Sequence, residues 1–465
     1  MQLSHNEDKN FSLSRFESML KTNAVLFFDA EEFEEIINHY MDNGKIALAK
    51  KATKMALEQH PTSVNLKLFQ VEMYVVENKL DIAEALLDDI FGLDSSNEEL
   101  YIQKANILSR KEKHLQAIDE LKKALQMTDD EIDILNMIGI EYLFLEDYEN
   151  AKYHFMQCVE LDEQDYASLY NVVYCYEFLN QHNEAIDYLS IYLDKNPYCE
   201  VAWHQLGKTY FEIKKYKKAL AAFDFAIISD DRFVGAYLEK GKVLEKLKRY
   251  NEAIESYTIS LNLEDPTSFA LLRIGKCYQK LGNDELALQF YTKCVDEDAL
   301  LDKAWIAITD FYYRKKDYQK ALHFIEKALH IDGENVHYWK RYGKINQKLQ
   351  FFEEAEVGFR KTLELGNFEL ETWLTRSDIL IHLGEYEAAI INLNQALDFY
   401  SGNAEIEYRL AALHYHLGEC IKGRFHLENG LRINPEYNII IDVLFPEVYQ
   451  LKEVTSVIAI AKKAS

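Results

Sequence analysis

Alanine recurs at a fixed spacing of 34 residues along most of this chain. The series comprises Ala49, Ala83, Ala117, Ala151, Ala185, Ala219, Ala253, Ala287, Ala321, Ala355 and Ala389, and Gly423 takes the next position. A constant period of this length is typical of a solenoid, in which each repeat packs on its neighbours. Twelve repeats run from Ala30 to Tyr437 without insertion or deletion. We number them one to twelve from Ala30, and the places within each repeat from 1 to 34.

Each repeat carries two apolar stripes at helical spacing. In repeat six the stripes are Leu206, Tyr210 and Ile213, followed by Ala219, Phe223 and Ile227. Apolar residues three or four apart predict amphipathic helices, and small residues at places 8 and 20 allow two helices to approach closely. The whole chain has 5 prolines and 17 glycines in 465 residues, and it shows no strand-like alternation. The pattern therefore predicts a helix pair in every repeat.

The repeat resembles the tetratricopeptide repeat family, whose pattern is W-x2-L-G-x2-Y, then A-x3-F-x2-A, then P. Repeat six carries it as Trp203, Leu206, Gly207, Tyr210, Ala219, Phe223 and Ala226. The resemblance implies an all-α, right-handed superhelical solenoid of antiparallel helix pairs. We expect three segments: a polar N-terminus with a first helix at 1–29, twelve repeats at 30–437, and closing helices at 438–465.

Four Gly-Lys pairs raise the question of a phosphate-binding loop. They are Gly207-Lys208, Gly241-Lys242, Gly275-Lys276 and Gly343-Lys344. Such a loop needs a second glycine five residues earlier and a position between a strand and a helix. No glycine stands five residues before Gly207, and each pair falls inside a predicted helix. The glycines are therefore interpreted as packing residues, and no cofactor is expected.

Charge is distributed unevenly along the chain. The formal net charge is −26, which argues against nucleic acid as a partner. Between Glu200 and Glu369, however, 27 Lys and Arg balance 27 Asp and Glu, so repeats six to ten are neutral and the flanks carry the excess acid.

The neutral segment concentrates its cations on the first helices. The resemblance implies that places 2, 5, 9, 12 and 13 of these helices line a binding groove. Place 9 holds Lys208, Lys242, Lys276 and Lys344, place 13 holds Lys246, Lys280, Arg314 and Lys348, and Arg273 and Arg341 stand at place 6. This row predicts an acidic ligand. The alternative is a solvated face balanced by acids such as Glu239 and Glu245.

Repeat five adds three aromatic residues at places 5, 9 and 13, namely Tyr170, Tyr174 and Phe178. If these places face the groove, the rings are candidate anchors for a partner. The alternative is that they are buried against the next repeat.

Together these features predict a non-catalytic protein-interaction scaffold that binds a peptide segment of a partner in the groove of repeats five to ten. The alternative is a ligand-sensing regulator whose superhelix changes shape around a small peptide or metabolite. Partners are expected to be proteins or peptides, acidic ones among them, with no nucleic acid and no membrane insertion. The absence of an N-terminal apolar signal and the expected free, buried cysteines predict a cytoplasmic location.

Overall fold

The computed structural model describes residues 2–22, 26–92, 97–128, 130–263 and 267–464. The chain forms two compact bodies, which we call the N-terminal body, residues 1–231, and the C-terminal body, residues 232–465. Within the described ranges every regular element is a helix. The predicted all-α architecture is therefore confirmed.

The N-terminal body contains thirteen described helices. They are α1 Gln2–Thr22, α2 Ala30–Asp42, α3 Ile46–Gln59, α4 Val64–Val76, α5 Leu80–Phe91, α6 Glu98–Arg110, α7 His114–Leu125, α8 Ile132–Phe144, α9 Tyr148–Leu161, α10 Tyr166–Phe178, α11 His182–Lys195, α12 Glu200–Glu212 and α13 Tyr216–Ser229. Each first helix packs on the second helix of its own repeat, and each second helix of repeats one to five packs on the first helix of the next repeat.

The C-terminal body continues the pattern. Its helices are α14 Val234–Lys246, α15 Tyr250–Leu263, α16 Ser268–Lys280, α17 Asp284–Glu297, α18 Asp302–Arg314, α19 Tyr318–Ile331, α20 Val336–Leu349, α21 Phe352–Glu364, α22 Leu370–Leu383, α23 Tyr386–Phe399, α24 Ala404–His416, α25 Cys420–Ile433, the 3₁₀ turn Pro435–Asn438, α26 Ile439–Leu444, α27 Pro446–Tyr449 and α28 Lys452–Ala464. The last four follow the twelfth helix pair and cover its open apolar side.

The alanine series marks the line where paired helices touch. Each of the eleven alanines at place 20 is buried, as is Gly423 in repeat twelve. A larger side chain at this place would hold the two helices apart, because the interior is close-packed. The 34-residue period is thus a packing requirement repeated along the chain.

Each first helix ends in the same turn, in which the residue at place 15 is left-handed. The φ values are positive in all twelve repeats, and eight of these residues are not glycine: Asn78, Glu112, Glu146, Asn180, Lys214, Lys248, Lys316 and Gln350. In repeat seven the Lys248 N–H donates to the Glu245 carbonyl at 3.0 Å, and the Arg249 N–H donates to the Leu244 carbonyl at 2.9 Å. These two bonds form a Schellman motif, which normally takes glycine at this position.

Replacing Lys248 by glycine is expected to stabilise the C-terminal body by about 0.5–1 kcal/mol. Holding a residue with a Cβ in the left-handed conformation costs about 1–2 kcal/mol of stability. Glycine avoids this cost but loses more backbone entropy on folding, which offsets part of the gain. Urea unfolding followed by circular dichroism measures the change. The matched reversal is Gly282→Lys at place 15 of repeat eight, where a Cβ would have no neighbour within 4 Å, so only the backbone is tested. Equal stability of all three proteins would contradict the prediction.

Candidate functional site

The predicted site residues fall in both bodies. Tyr170, Tyr174, Phe178 and Lys208 belong to the N-terminal body, and the other nine cations belong to the C-terminal body. Two local groups stand out, one in each body.

The aromatic group lies on α10 of the N-terminal body. Tyr170, Tyr174 and Phe178 expose 39%, 43% and 50% of their surface, so the next repeat does not bury them. The Phe178 ring lies 4.6 Å from Tyr174 and stacks at 4.8 Å on Tyr148, the first residue of α9. Mutual stacking holds these rings in fixed positions while leaving one side open to solvent. Tyr148, at place 17, falls outside the places that the sequence indicated.

The cation group lies on α14 and α16 of the C-terminal body. Lys242 Nζ lies 5.2 Å from the centre of the Phe269 ring, and the Arg273 guanidinium carbon lies 5.4 Å from the same centre. Lys276 stands one helical turn after Arg273 and is half-buried. We call Lys242 and Arg273, which share the Phe269 ring, together with the adjacent Lys276, the cation cluster. Phe269 occupies place 2, one of the groove places, so its position was predictable although its role was not.

Acidic side chains neutralise only part of the cation cluster. Lys242 pairs with Glu239 at 2.6 Å, and Arg273 pairs with Glu245 at 3.4 Å. Glu245 also accepts a hydrogen bond from the Tyr257 hydroxyl at 2.7 Å, so this carboxylate is shared. Across the described parts of the chain, no carboxylate lies within salt-bridge distance of Lys276. Burial and the adjacent Arg273 lower the pKa of the Lys276 ammonium, as expected for a cation that lacks a counter-charge.

The remaining cations of the predicted row divide into paired and solvated residues. Arg341 makes two hydrogen bonds to Asp310, at 2.9 and 3.2 Å. Lys344 pairs with Glu371 at 3.1 Å, and Arg314 lies 3.7 Å from Asp284. Four lysines are exposed and make no ion pair with any described residue: Lys208, Lys246, Lys280 and Lys348. The row is therefore not a uniform charged surface, and Lys276 is its one half-buried cation without a described acidic partner.

The arginines at place 6 of the first helices are paired differently in the cation cluster than in two other repeats. In two other repeats an aspartate at place 9 holds the arginine at place 6 of the next repeat, as in Asp310 with Arg341 and Asp378 with Arg409. Here place 9 is Lys242 and place 6 is Arg273, so two cations meet over one ring. The two like charges are offset only by Glu239 and Glu245.

Metal-ligand clusters and membrane-spanning helices are both missing from the described residues. In the ranges that the structure covers, no group of three or more His, Cys, Asp or Glu side chains could hold a metal ion. None of the described helices is both long enough and apolar enough to span a membrane.

Comparison with known families and structures finds tetratricopeptide repeats. Three models of this repeat match residues 98–131, 132–165 and 370–403, residues 269–300, and residues 204–267. Among curated proteins, no sequence matches this chain.

Many solved structures are similar to parts or most of the chain, and three are representative. YrrB, described as a TPR protein with an unusual peptide-binding site, is 17% identical and covers 38% of this chain and 92% of its own, with a TM-score of 0.33. The C-terminal part of a TPR repeat-containing protein from Cytophaga hutchinsonii is 19% identical and covers 51% and 98%, with a TM-score of 0.44. The Cut9-Hcn1 hetero-tetramer of the APC/C is 13% identical and covers 96% and 94%, with a TM-score of 0.38.

Proposed function

Because the chain is a tetratricopeptide repeat protein, we propose that it is a non-catalytic scaffold whose cation cluster binds an acidic segment of a partner protein. Repeats of this family build protein-interaction scaffolds. The observation that carries the finer proposal is Lys276, a half-buried ammonium with no acidic partner among the described residues. A carboxylate of the partner would supply that missing counter-charge.

The surroundings of Lys276 fit a peptide better than a single small ion. Phe269 is 38% exposed and offers an apolar surface beside the cations. Lys242 and Arg273 already pair with Glu239 and Glu245, so Lys276 is the cation left for an incoming acid. The aromatic group on α10 is a second candidate contact for the same class of partner. The scaffold is placed in the cytoplasm as part of this proposal, since its cysteines are free and all except Cys420 are buried.

Replacing Lys276 by glutamate is expected to weaken partner binding roughly tenfold or more, because it puts an acid where the partner's acid binds. Partners are first captured from a lysate of the source cells and identified by mass spectrometry. Their affinities for the wild type and the variant are then measured at low and high salt, and the variant should show the weaker salt dependence.

The matched control is Lys293→Glu, which makes the same change of charge on α17, where Lys293 lies over the Phe290 ring. The control should retain the partners of the wild type with unchanged affinity. Equal affinity of the wild type and Lys276→Glu would refute the proposed site. An equal loss of affinity in Lys276→Glu and Lys293→Glu would show that only the net charge matters, and this result would also refute the proposed site.

A further inference from the structure

A ring pair recurs inside the helix pairs of this protein. It joins place 11 of the first helix to place 23 of the second. The pairs are Tyr142 with His154 at 5.6 Å, Tyr176 with Tyr188 at 6.0 Å, Tyr278 with Phe290 at 5.5 Å, Tyr312 with Phe324 at 5.4 Å, and His414 with His426 at 5.4 Å. These centroid separations are those of favourable aromatic contacts. The second ring therefore fills a slot beside the first-helix ring.

Repeat six keeps the first ring of this pair and lacks the second. Tyr210 stands at place 11, but place 23 is Ala222. An open groove of about 560 Å³ lies at this position between α11 and α13, bordered by Trp203, Tyr210, Ala221, Ala222 and Phe225. Five other repeats place an aromatic ring here, whereas repeat six supplies none, and Ala222 lines the groove with 3% of its surface exposed.

Fixed aromatic walls give this groove a defined shape. The Trp203 indole N–H donates to the Pro197 carbonyl at 2.9 Å, and Phe225 stacks on the Trp203 ring at 4.6 Å. Phe225 in the groove wall is 48% exposed, and Ile191 of α11 and Ile228 of α13, on the two helices that flank the groove, are 63% and 73% exposed. Exposed apolar residues clustered around a concavity are typical of interaction sites.

Repeat one shows that a ring from another element can complete the pair. Its place 23 is Ala52, which is fully buried, and its place 11 is Tyr40. The ring beside Tyr40 comes from Phe16 of α1, at 6.2 Å. An alanine at place 23 is thus compatible with a slot that is filled from outside the helix pair.

Lys218 lines the groove, and Lys215 and Lys217 are its neighbours in the sequence. Lys215, Lys217 and Lys218 are exposed at the start of α13, and none makes an ion pair with a described residue. Lys218 Nζ lies 5.4 Å from the centre of the Tyr210 ring, which places its charge at the mouth of the slot. The opposite wall carries Asp194 on α11. The three lysines are complementary to acidic residues of a ligand.

We propose that this groove is a docking site for a partner segment that inserts an aromatic side chain beside Tyr210 and places acidic residues next to Lys215, Lys217 and Lys218. The site is separate from the cation cluster, since it lies in the N-terminal body and is built largely by second helices. It would let the scaffold hold a second segment, and its test is independent of the test at Lys276.

The decisive variant is Ala222→Phe, which supplies the missing ring from the repeat itself. Random dodecapeptides are displayed and selected on the full chain, and the affinities of the recovered peptides are measured by fluorescence anisotropy. We expect the recovered peptides to carry Phe, Tyr or Trp beside Asp or Glu. Ala222→Phe should weaken their binding at least tenfold, while its circular dichroism spectrum matches that of the wild type.

A second pair of variants keeps the test valid if Ala222→Phe folds poorly. Ala221 is exposed on the groove wall, so Ala221→Glu places a negative charge there without touching the core. Gln289→Glu is the control at the same place 22 of repeat eight, where Phe290 fills the slot. We expect tenfold weaker binding for Ala221→Glu and no change for Gln289→Glu. Two results would overturn the proposal. The recovered peptides could lack an aromatic residue, or every recovered peptide could bind the wild type, Ala222→Phe and Ala221→Glu with equal affinity.

Discussion

Replacing Gly241 by alanine is expected to destabilise the C-terminal body by about 1–3 kcal/mol, the usual cost of overpacking a core. An added Cβ would lie 2.4 Å from Cε1 and 2.5 Å from Cζ of Tyr257. Tyr257 is fully buried, and its hydroxyl donates to Glu245, so the ring cannot swing away. Urea unfolding measures the loss. The control is Gly333→Ala, whose Cβ would lie no closer than 3.4 Å to its nearest neighbour and should change little.

The residue sizes at places 8 and 24 are correlated along the chain, and this correlation suggests a second change that should restore stability to Gly241→Ala. Glycine at place 8 always faces an aromatic ring at place 24, in the pairs Gly139 with Phe155, Gly207 with Phe223, Gly241 with Tyr257, Gly275 with Tyr291, and Gly343 with Phe359. Where place 8 is alanine, place 24 is leucine, as in Ala105 with Leu121 and Ala411 with Leu427. Adding Tyr257→Leu to Gly241→Ala should therefore cost less than the two single changes together. Strictly additive costs would show that the ring is not what excludes the methyl group.

Replacing Phe16 by alanine is expected to cost about 3–5 kcal/mol, the range for deleting a buried phenylalanine. Phe16 has no exposed surface. Its ring lies 5.9 Å from Phe28 and 6.2 Å from both Phe33 and Tyr40, so it joins α1 to the first helix pair. The loss should be local, because each repeat contacts only its neighbours.

Hydrogen exchange shows where this loss occurs. We expect faster exchange in α1, α2 and α3 of Phe16→Ala and unchanged exchange in the C-terminal body. Phe27→Ala is the matched control, since Phe27 is 64% exposed and its removal should have a small effect. If both variants exchange alike, Phe16 does not anchor α1.

The sequence predicted the helix pairs because local sterics repeat along the chain. The alanines at place 20 must be small wherever two helices touch, so they appear in the sequence at the period of the structure. The left-handed turn at place 15 was not predicted. Only four of its twelve residues are glycine, and the conformation is imposed by the Schellman bonds rather than by the residue type.

The candidate site was predicted only in outline. The sequence placed Arg341 and Lys276 in one basic row, yet Arg341 is held by Asp310 while Lys276 has no acid within reach among the described residues. That difference depends on which side chain the preceding first helix presents, some thirty residues earlier. In the same way Phe178 rests on Tyr148, whose place in the repeat gave no sign of this contact.

The sequence by itself determined the period, the paired helices and the distribution of charge, because each depends on residue type and spacing. Tertiary structure decided which cations are neutralised and which aromatic rings stay exposed. It also decided that the alanine at place 23 of repeat six lines a groove. Ala222 is an ordinary small residue in the sequence. It marks a groove only because the folded chain puts it opposite Tyr210, where other repeats place a ring. Contacts between helices set these outcomes, and no local pattern encodes them.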